Sequence, residues 1–232
     1  MTLRIASYNV HKAVGLDRRR DPGRVLSVIA RTGADIVALQ EVDRRLAPRP
    51  TVLPRTEILR HTGYEPLGFV ADGAPSLGWH GQTILVRRGI GVIAAEGIEL
   101  PGLEPRGAVM AELETPEGAL RVVGVHLALL KRWRLMQIAA IHAAVAARVE
   151  MATVIIGDFN DWSTRGSGRA LADGFRLHAP GRSFPANRPL GALDRAALGP
   201  GVHLRRAEVV SAGAAPIASD HLPILIEVAL GD

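Results

Sequence analysis

Cysteine is absent from this chain of 232 residues. Without thiols there can be no disulfides, thiolate zinc sites, iron–sulfur clusters or cysteine nucleophiles. Any metal must therefore be bound by oxygen atoms and imidazole nitrogens. Enzyme classes that depend on a thiol are excluded by the same absence.

Long apolar runs, lysine and aromatic residues are also scarce. No stretch of about 18 apolar residues is free of charge, so no membrane-spanning helix is expected. The first residues lack the charged and apolar regions of a signal peptide, which makes the cytoplasm the expected location. Lys12 and Lys131 are the only lysines, and aromatic residues make up 4% of the chain, which leaves few side chains for stacking against unpaired bases.

The remaining composition is that of a folded domain with a mild positive charge. Apolar residues make up 47% and charged residues 22%, which excludes a disordered chain. A single domain covering residues 1–232 is expected, because no Gly/Ser-rich linker divides the sequence. The net charge of +5 favours an anionic partner, such as nucleic acid or a phospholipid surface, although an arginine-rich composition alone would also produce it.

Apolar patterning predicts strands that alternate with helices. Asp21, Pro22 and Gly33 mark one helix as its N-cap, first residue and C-terminal glycine. The predicted strands are 3–10, 35–40, 64–70, 81–87, 90–99, 107–114, 119–127, 153–157, 193–198, 203–211 and 221–229. The predicted helices are 22–32, a short one within 41–63, 131–150 and a short one near 165–172. Many strands with helices between them indicate sheets covered by helices, in an α/β or α+β layered fold.

Polar residues recur where the predicted apolar strands end. These carboxylates, amides and imidazoles are Asn9, His11, Glu41, His126, Asp158, Asn160, Asp194, Asp220 and His221. Ligands of layered α/β folds bind at strand ends, where loops from several strands meet, so this set suits a hard metal and an anionic substrate. Taken singly, each has an ordinary structural explanation: Asp158 and Asn160 as an Asx-turn, His126 as a core histidine, Asp220 as a turn residue.

Six stretches, in order along the chain, resemble motifs of the endonuclease/exonuclease/phosphatase superfamily, which includes DNase I. They are Ala6-Ser7-Tyr8-Asn9-Val10-His11, Leu39-Gln40-Glu41-Val42-Asp43, Val125-His126-Leu127, Gly157-Asp158-Phe159-Asn160-Asp161-Trp162, Ser183-Phe184-Pro185 and Ser219-Asp220-His221-Leu222-Pro223. The likeness is closest to a small bacterial subgroup with Asn-x-His-Lys and Gly-Asp-Phe-Asn-Asp-Trp, here 9–12 and 157–162. The resemblance implies an α+β fold: a four-layer α/β/β/α sandwich of two mixed sheets flanked by helices.

The resemblance also implies metal-assisted hydrolysis of a phosphate ester. Glu41 would bind Mg²⁺, with Mn²⁺ as an alternative, and Asp220 and Asn9 would assist it. Asn9, Arg106 and His11 would contact the substrate. His11 stands where many family nucleases have an aspartate, which removes one negative charge from the implied metal site.

The remaining motif residues would carry the proton chemistry. By resemblance, Asp158 and Asn160 would align the attacking water and a phosphate oxygen, and Asp194 would orient His221 and fix its tautomer. His221 would be the general base or would stabilise the phosphate charge, since the family leaves the role of base disputed between the residues matching His221 and Asp158. His126 would contact the phosphate or the leaving oxygen.

Two positions depart from the family pattern. Gln82 stands where relatives have asparagine, and its extra methylene alters the reach of the amide. The segment after Asp194 reads Arg-Ala-Ala-Leu, which has weak strand character. We therefore expect any loss of activity to originate near Gln82 or Asp194.

Two substrate classes and two other function classes stay open at this point. Nucleic acid and a phospholipid-like or small phosphodiester both suit the expected phosphodiesterase or nuclease, and a phosphatase that acts on a phospholipid or a small molecule is an alternative. Lys131, Arg132 and Arg134, with Trp133 among them, follow His126 and could contact an acidic membrane surface peripherally. A non-catalytic phosphate-binding module on the same fold is one alternative. A zinc hydrolase is disfavoured, because the chain has no His-Glu-x-x-His.

Overall fold

The computed structural model describes residues 2–44, 48–71, 73–163 and 174–231, and twelve strands run through them. The strands are β1 (Leu3–Asn9), β2 (Ile36–Gln40), β3 (Tyr64–Pro66), β4 (Gln82–Arg87), β5 (Gly91–Leu100), β6 (Arg106–Thr115), β7 (Gly118–His126), β8 (Thr153–Asp158), β9 (Arg176–His178), β10 (Asp194–Leu198), β11 (Val202–Val209) and β12 (Ile224–Leu230). The helices are α1 (Pro22–Thr32), α2 (Arg55–Thr62), α3 (Lys131–Ala146) and α4 (Ala215–Ala218), with a 3-10 turn at His11–Ala13. The helix predicted near 165–172 lies outside the described residues.

The strands form two mixed sheets of six strands each. The first sheet has the order β11-β12-β1-β2-β4-β3 and the second the order β5-β6-β7-β8-β10-β9. Strands β1 and β2 are parallel, as are β7 and β8, and the other neighbouring pairs are antiparallel. Because parallel strands end side by side, each sheet carries two carboxyl ends at one edge.

Three apolar clusters separate the layers. One joins the first sheet to α1 and α2 and contains Leu26 and Val37. A second lies between the sheets and contains Ile36 and Val122, and a third packs Ile138 of α3 against the second sheet. Each such side chain stabilises the fold by about 1.5–3 kcal/mol when fully buried. The resulting order of helix, sheet, sheet and helix confirms the four-layer α+β sandwich expected from the sequence.

Helix α1 begins and ends where the sequence predicts. The side chain of Asp21 accepts a hydrogen bond from the backbone N–H of Arg24 at 2.9 Å, and Pro22 occupies the first helical position. Gly33 ends the helix with φ 57°, a left-handed conformation that glycine adopts without a steric clash. Local capping chemistry therefore determines both bounds.

Helix α3 is shorter than its predicted range of 131–150. It ends at Ala146, and the carbonyl of Val149 accepts a hydrogen bond from the guanidinium of Arg121 at 2.8 Å. This long-range bond holds the segment that follows the helix, and apolar patterning cannot reveal it. The four-residue helix α4 is too short for a periodic signal. None of the described helices is long and apolar enough to cross a bilayer.

The strand predicted at 64–70 is likewise shorter, because β3 covers only Tyr64–Pro66. Pro66 has no N–H with which to continue a ladder. Strand β9 has no counterpart among the predicted strands, since its three residues are too few to show alternation. The other predicted strands correspond to observed ones with small shifts at their ends.

The strand register brings the chemistry-bearing residues together. Asn9 lies opposite Gln40 at the ends of β1 and β2 in the first sheet. In the second sheet, Asp158 at the end of β8 lies opposite both His126 of β7 and Asp194 of β10. Both sheets therefore present polar residues at the same edge of the sandwich, where Asn9 and Asp158 contact each other.

Candidate active site

The carboxylate of Asp158 lies at the centre of this edge. Its Oδ1 accepts a hydrogen bond from the backbone N–H of Asn160 at 2.9 Å, which holds the loop in a tight turn. Its Oδ2 accepts one from the amide of Asn9 at 3.3 Å. The Nε2 atoms of His126 and His221 lie 3.5 and 3.7 Å from that same oxygen. The structure thus brings three of the predicted site residues around one buried oxygen atom of a fourth, Asp158.

His221 is held by a second carboxylate on the opposite side of its ring. Its Nδ1 lies 2.8 Å from Oδ2 of Asp194, which also accepts a hydrogen bond from the hydroxyl of Ser183 at 2.5 Å. The Asp194 carboxylate places a proton on Nδ1 and leaves Nε2 facing Asp158. The ring of Phe184 packs against the imidazole with 4.8 Å between ring centroids.

The two histidines near Asp158 differ in charge at neutral pH, since one ring is positively charged and the other is neutral. Burial lowers the pKa of His221, but the carboxylates of Asp194, Asp158 and Asp220 outweigh it and raise that pKa to about 10. Burial lowers the pKa of His126 to about 4, against the opposing charge of Asp158. Burial, with a smaller contribution from Asp194, raises the pKa of Asp158. At neutral pH His221 is therefore a positively charged imidazolium, whereas His126 is a neutral imidazole that keeps one N–H.

The stability of the metal-free protein should fall as the pH rises from about 6.5 to about 10. A pKa that folding raises stabilises the fold fully below the unfolded value of 6.5, and this contribution is lost as the pH passes the folded value of about 10. The measurement is the free energy of unfolding in EDTA across this range. The variant His221→Gln cannot take up the proton and should show a flatter dependence, whereas equal slopes would contradict a protonated His221.

Glu41 lines a cavity of about 360 Å³ beside this cluster. The same cavity is lined by His126, Gln82 and Arg106. The ammonium of Lys12 donates to a carboxylate oxygen of Glu41. Glu41 has φ 59°, a left-handed conformation that costs a non-glycine residue about 1–3 kcal/mol and persists only where the surroundings fix it. Such strain is concentrated at functional sites.

Glu41 is ionised in this cavity. Burial raises its pKa, but the positive charges of His126, Lys12 and His11 outweigh burial and lower the pKa to about 2. Because His126 is uncharged at neutral pH, Lys12 is the main cation that keeps Glu41 ionised there. A carboxylate already paired with a cation is suited to exchange that cation for a metal ion.

The donor atoms of the site suit a metal. Asp158, Asp194 and His221 offer three ligand atoms within 4.8 Å of one another, so this group could hold an ion. Oδ1 of Asp194 is buried and, within the described part of the chain, has no hydrogen-bond partner. Glu41 offers a further ionised carboxylate in the neighbouring cavity. Oxygen-rich sets of this kind are typical of Mg²⁺ and Mn²⁺ sites.

The remaining predicted site residues lie around this centre. The guanidinium of Arg106 lines the cavity and donates to the carbonyl of His126 at 3.5 Å. His11 lies outside the cavity lining, with Nδ1 3.0 Å from the carbonyl of Val14 and 3.9 Å from a carboxylate oxygen of Asp220. The structure therefore pairs the side chain of His11 with Asp220, while the backbone N–H of His11 donates to the amide oxygen of Asn9 at 3.1 Å.

The side chain of Gln82 reaches from the first sheet to the second. Its amide nitrogen donates to the carbonyl of Gly107 on β6, and its amide oxygen is buried without a hydrogen-bond partner among the described residues. The side chain thus tethers β4 of the first sheet to β6 of the second. It also leaves one acceptor beside the cavity that Glu41 lines.

Two residues of the site were part of quoted motifs but carried no predicted role. Ser183 belongs to the stretch Ser183-Phe184-Pro185, and Lys12 follows His11 in the first motif. Their contacts to Asp194 and Glu41 link residues 11 and 29 positions apart in sequence. Sequence proximity to a motif was the only signal for either.

Comparison with known proteins gives one family and a common fold. The profile of the Endonuclease/Exonuclease/phosphatase family matches residues 6–221. Among curated proteins, none matches this sequence. Solved structures provide further matches over nearly the whole chain.

Three solved structures illustrate the range of these matches. A family protein from Bacteroides thetaiotaomicron has 17% identity and a TM-score of 0.79, covering 100% of this chain and 99% of its own. The mannosyl-6-phosphatase Bt3783 of Bacteroides thetaiotaomicron VPI-5482 has 19% identity and a TM-score of 0.76, covering 98% and 100%. TDP2 of D. rerio, in complex with a single-strand DNA product, has 18% identity and a TM-score of 0.74, covering 98% of both chains. At these identities the likeness shows the DNase I-like fold.

Proposed function

Because this chain belongs to the endonuclease/exonuclease/phosphatase family, we propose that it is a metal-dependent phosphodiesterase that acts on nucleic acid or a smaller phosphodiester. The proposal rests on one observation: Oδ2 of Asp158 has the amide of Asn9 and the rings of His126 and His221 within 3.7 Å. A carboxylate, a neutral imidazole and a charged imidazole at one point suit attack of water on an anionic phosphate.

The proposed reaction is hydrolysis of a phosphate ester. The oxygen of a water molecule forms a bond to phosphorus as the water gives a proton to the general base, the bond to the ester oxygen breaks, and that leaving oxygen takes up a proton from solvent. Mg²⁺ or Mn²⁺ bound at Glu41 would supply positive charge at the phosphate. We favour Glu41 over Asp194 as the ligand because Glu41 lines the cavity, whereas Asp194 does not line it and its Oδ2 is engaged by Ser183 and His221.

Asp158 is the proposed general base. His221 is protonated at neutral pH and has no free lone pair with which to accept a proton from water. Asp158 instead has an acceptor oxygen, and its raised pKa makes it a stronger base than an exposed aspartate. His221 then stabilises the negative charge on the phosphate, while Asp194 keeps its ring in place.

Three further residues are proposed to contact the phosphate. The amide of Asn9 and the neutral ring of His126 face the same carboxylate oxygen as His221, so a phosphate placed there meets hydrogen-bond donors from both sheets. Arg106 adds a guanidinium from the cavity wall. Asn160 is a positioning residue, because its amide donates to the carbonyl of Leu127 at 2.9 Å and fixes the loop that carries Asp158.

A phospholipid-like substrate is the second candidate, favoured by a surface beside the site. Leu129 and Leu130 are about 65% and 59% exposed, and Trp162 is 62% exposed. Lys131 and Arg132 directly follow these leucines. Apolar side chains with adjacent cations are typical of peripheral contact with an anionic membrane. Sedimentation with phosphatidylglycerol vesicles, and none with phosphatidylcholine vesicles, would favour this substrate class.

A cytoplasmic location remains a prediction.

The reaction class is tested by comparing a diester with a monoester. Purified protein is incubated with bis(p-nitrophenyl) phosphate or p-nitrophenyl phosphate in Mg²⁺ or Mn²⁺. Faster release of p-nitrophenol from the diester supports a phosphodiesterase. Hydrolysis of the monoester alone would instead favour a phosphatase, the reaction class named for the structural relative Bt3783.

Glu41→Gln should raise the metal concentration needed for half-maximal activity by about 10–100-fold, because the variant loses the anionic ligand but keeps its shape. A second readout is the rise in Tm on adding Mn²⁺, which should shrink in the variant. Glu65→Gln removes a carboxylate from β3, where Glu65 pairs with Arg88, and serves as the control. Unchanged metal titrations in Glu41→Gln would remove Glu41 from the metal site.

A further inference from the structure

The cavity beside Glu41 is lined by more side chains than the proposed reaction uses. Arg44, Arg49 and His80 are among them, and we call this part of the lining the Arg49 end. None of these three belongs to the predicted site, and the reaction described above uses none of them. The cavity therefore has room and side chains for a part of the substrate beyond the scissile phosphate.

The Arg49 end is positively charged and its arginines are available. The other two cations of the cavity are already paired, Lys12 with Glu41 and Arg106 with a carboxylate at 3.1 Å. Within the described residues, neither Arg44 nor Arg49 makes an ion pair. The guanidinium of Arg49 lies 3.4 Å from Nδ1 of His80.

The carboxylate in this part of the cavity does not neutralise those arginines by direct contact. Asp43 lines the cavity but is itself buried. Its oxygens accept hydrogen bonds from the hydroxyl of Ser76 and from the backbone N–H of Leu77, the latter at 3.0 Å. An arginine fork without a carboxylate partner, facing a cavity, is suited to bind the oxygens of a phosphate.

The backbone of the Arg49 end is also held in an uncommon conformation. Arg49 has φ 54° and His80 has φ 49°, both in the left-handed region that non-glycine residues seldom adopt. Glu41 and Lys12, which line the same cavity, share that conformation with φ 59° and 56°. Strained residues that surround one cavity indicate that its walls are fixed for binding.

We propose that the Arg49 end binds a second phosphate of the substrate, so that the preferred substrate carries a phosphate next to the scissile phosphodiester. The inference rests on the proposed function and names the chemistry of its substrate. Arg49 provides the fork and His80 orients it, since Nε2 of His80 is itself held 3.2 Å from a carboxylate oxygen of Glu99. The second phosphate belongs either to a small bisphosphorylated compound or to the next link of a nucleic acid strand.

The kinetic test uses two substrates that differ only in the second phosphate. They are thymidine 5′-(p-nitrophenyl phosphate) and the same compound with a 3′-phosphate. The wild type should show at least about tenfold higher kcat/KM for the bisphosphorylated substrate, the size expected of a charge-assisted contact. Arg49→Gln should lower that preference about tenfold. Equal kcat/KM for both substrates in the wild type would overturn the proposal.

A matched control removes Arg88, an arginine that lies outside the cavity lining. Arg88 follows β4 at its far end and is exposed, where it pairs with Glu65. Arg88→Gln changes the net charge as Arg49→Gln does, but it should keep the wild-type preference. An equal loss of preference in both variants would show a general effect of charge and would overturn a role for Arg49.

Calorimetry in EDTA separates this inference from the proposed reaction. Thymidine 3′,5′-bisphosphate should bind at least about tenfold more tightly than thymidine 5′-monophosphate, and Arg49→Gln should remove the difference. Equal binding of the two nucleotides overturns the second-phosphate site even if the enzyme hydrolyses diesters. Preferential binding that depends on Arg49, without hydrolysis of any ester, upholds the site and contradicts the proposed reaction instead.

A third substrate distinguishes the two sources of the second phosphate. In it the 3′-phosphate carries a methyl ester, so that it matches an internal link of a strand. Equal kcat/KM for the methylated and free 3′-phosphates indicates nucleic acid, whereas a preference for the free phosphate indicates a small bisphosphorylated compound. Both results uphold the proposal, because in both cases kcat/KM for the substrate with a free 3′-phosphate exceeds kcat/KM for the substrate without a second phosphate.

Discussion

Asp158→Asn should lower the single-turnover rate of bis(p-nitrophenyl) phosphate hydrolysis by about 10²–10⁴-fold, the range for loss of a general acid or base. Asparagine preserves the shape of the side chain and an oxygen for the backbone N–H of Asn160, but it cannot take a proton from water. The loss should therefore appear in the chemical step, measured with the enzyme in excess over substrate.

The same substitution should leave the protein at least as stable as the wild type. A raised pKa means that the ionised Asp158 is less favourable in the folded protein than in the unfolded chain at neutral pH. Removing the charge also removes its repulsion with Asp194. A preserved or higher Tm in EDTA, combined with the lost activity, would distinguish a catalytic role from a structural one.

Asp35→Asn is the matched control for this prediction. Asp35 lies just before β2, at the end of the strand opposite to Glu41, and accepts a hydrogen bond from the backbone N–H of Arg4 at 2.8 Å. Its loss removes one charge without touching the site, so the rate should stay within about twofold of the wild type. A wild-type rate in Asp158→Asn would remove Asp158 from the mechanism.

His221→Gln should lower kcat by at least about 10²-fold, because it removes the positive charge placed next to the reacting phosphate. The pH profile separates the two roles open to this histidine. A protonated His221 predicts activity that declines on the alkaline side in the wild type, as the ring loses its proton. The variant should lack that decline.

The control for this second prediction is His203→Gln. His203 lies on β11, is partly exposed, and its Nε2 is 3.2 Å from the carbonyl of Gly231. Activity in this variant should match the wild type. If the wild-type rate instead rises through the pKa of a histidine and His221→Gln abolishes that rise, His221 is the general base and the assignment of Asp158 is wrong.

The grouping of polar residues at strand ends could be predicted from the sequence, because strands impose a simple geometry. Apolar runs end at Asn9, His126 and Asp158, and parallel neighbours end side by side. The four-layer arrangement, by contrast, came from the family resemblance. Alternation of apolar residues gives strands but does not say which strands share a sheet.

Asp194 shows why local propensity was a weak guide. The sequence Asp-Arg-Ala-Ala-Leu has little strand character, yet β10 is buried over its whole length between β8 and β9. The guanidinium of Arg195 donates to the backbone carbonyls of Asp161 and Ser163, the latter at 2.7 Å, which anchors the start of the strand. Ladder pairing and this anchor override propensity, and they place Asp194 against His221.

Contacts between distant loops could not be predicted from the sequence. The pairing of Lys12 with Glu41 and the position of Arg49 beside His80 depend on left-handed turns at all four residues. Nothing in the residue types of these positions requires such turns, because none is glycine. The cluster around Asp158 was therefore predictable from the sequence, whereas the contacts that shape the neighbouring cavity were not.

If this edge of the sandwich hydrolyses phosphodiesters as proposed, the reaction should require a bound metal. The most direct test is release of p-nitrophenol from bis(p-nitrophenyl) phosphate by the wild-type protein, first in EDTA and then after adding excess Mg²⁺ or Mn²⁺. We expect no release in EDTA, restored release with metal, and release from Asp158→Asn with metal that is lower by about 10²–10⁴-fold. Release that persists in EDTA, or that Asp158→Asn retains at the wild-type rate, would contradict the proposed reaction.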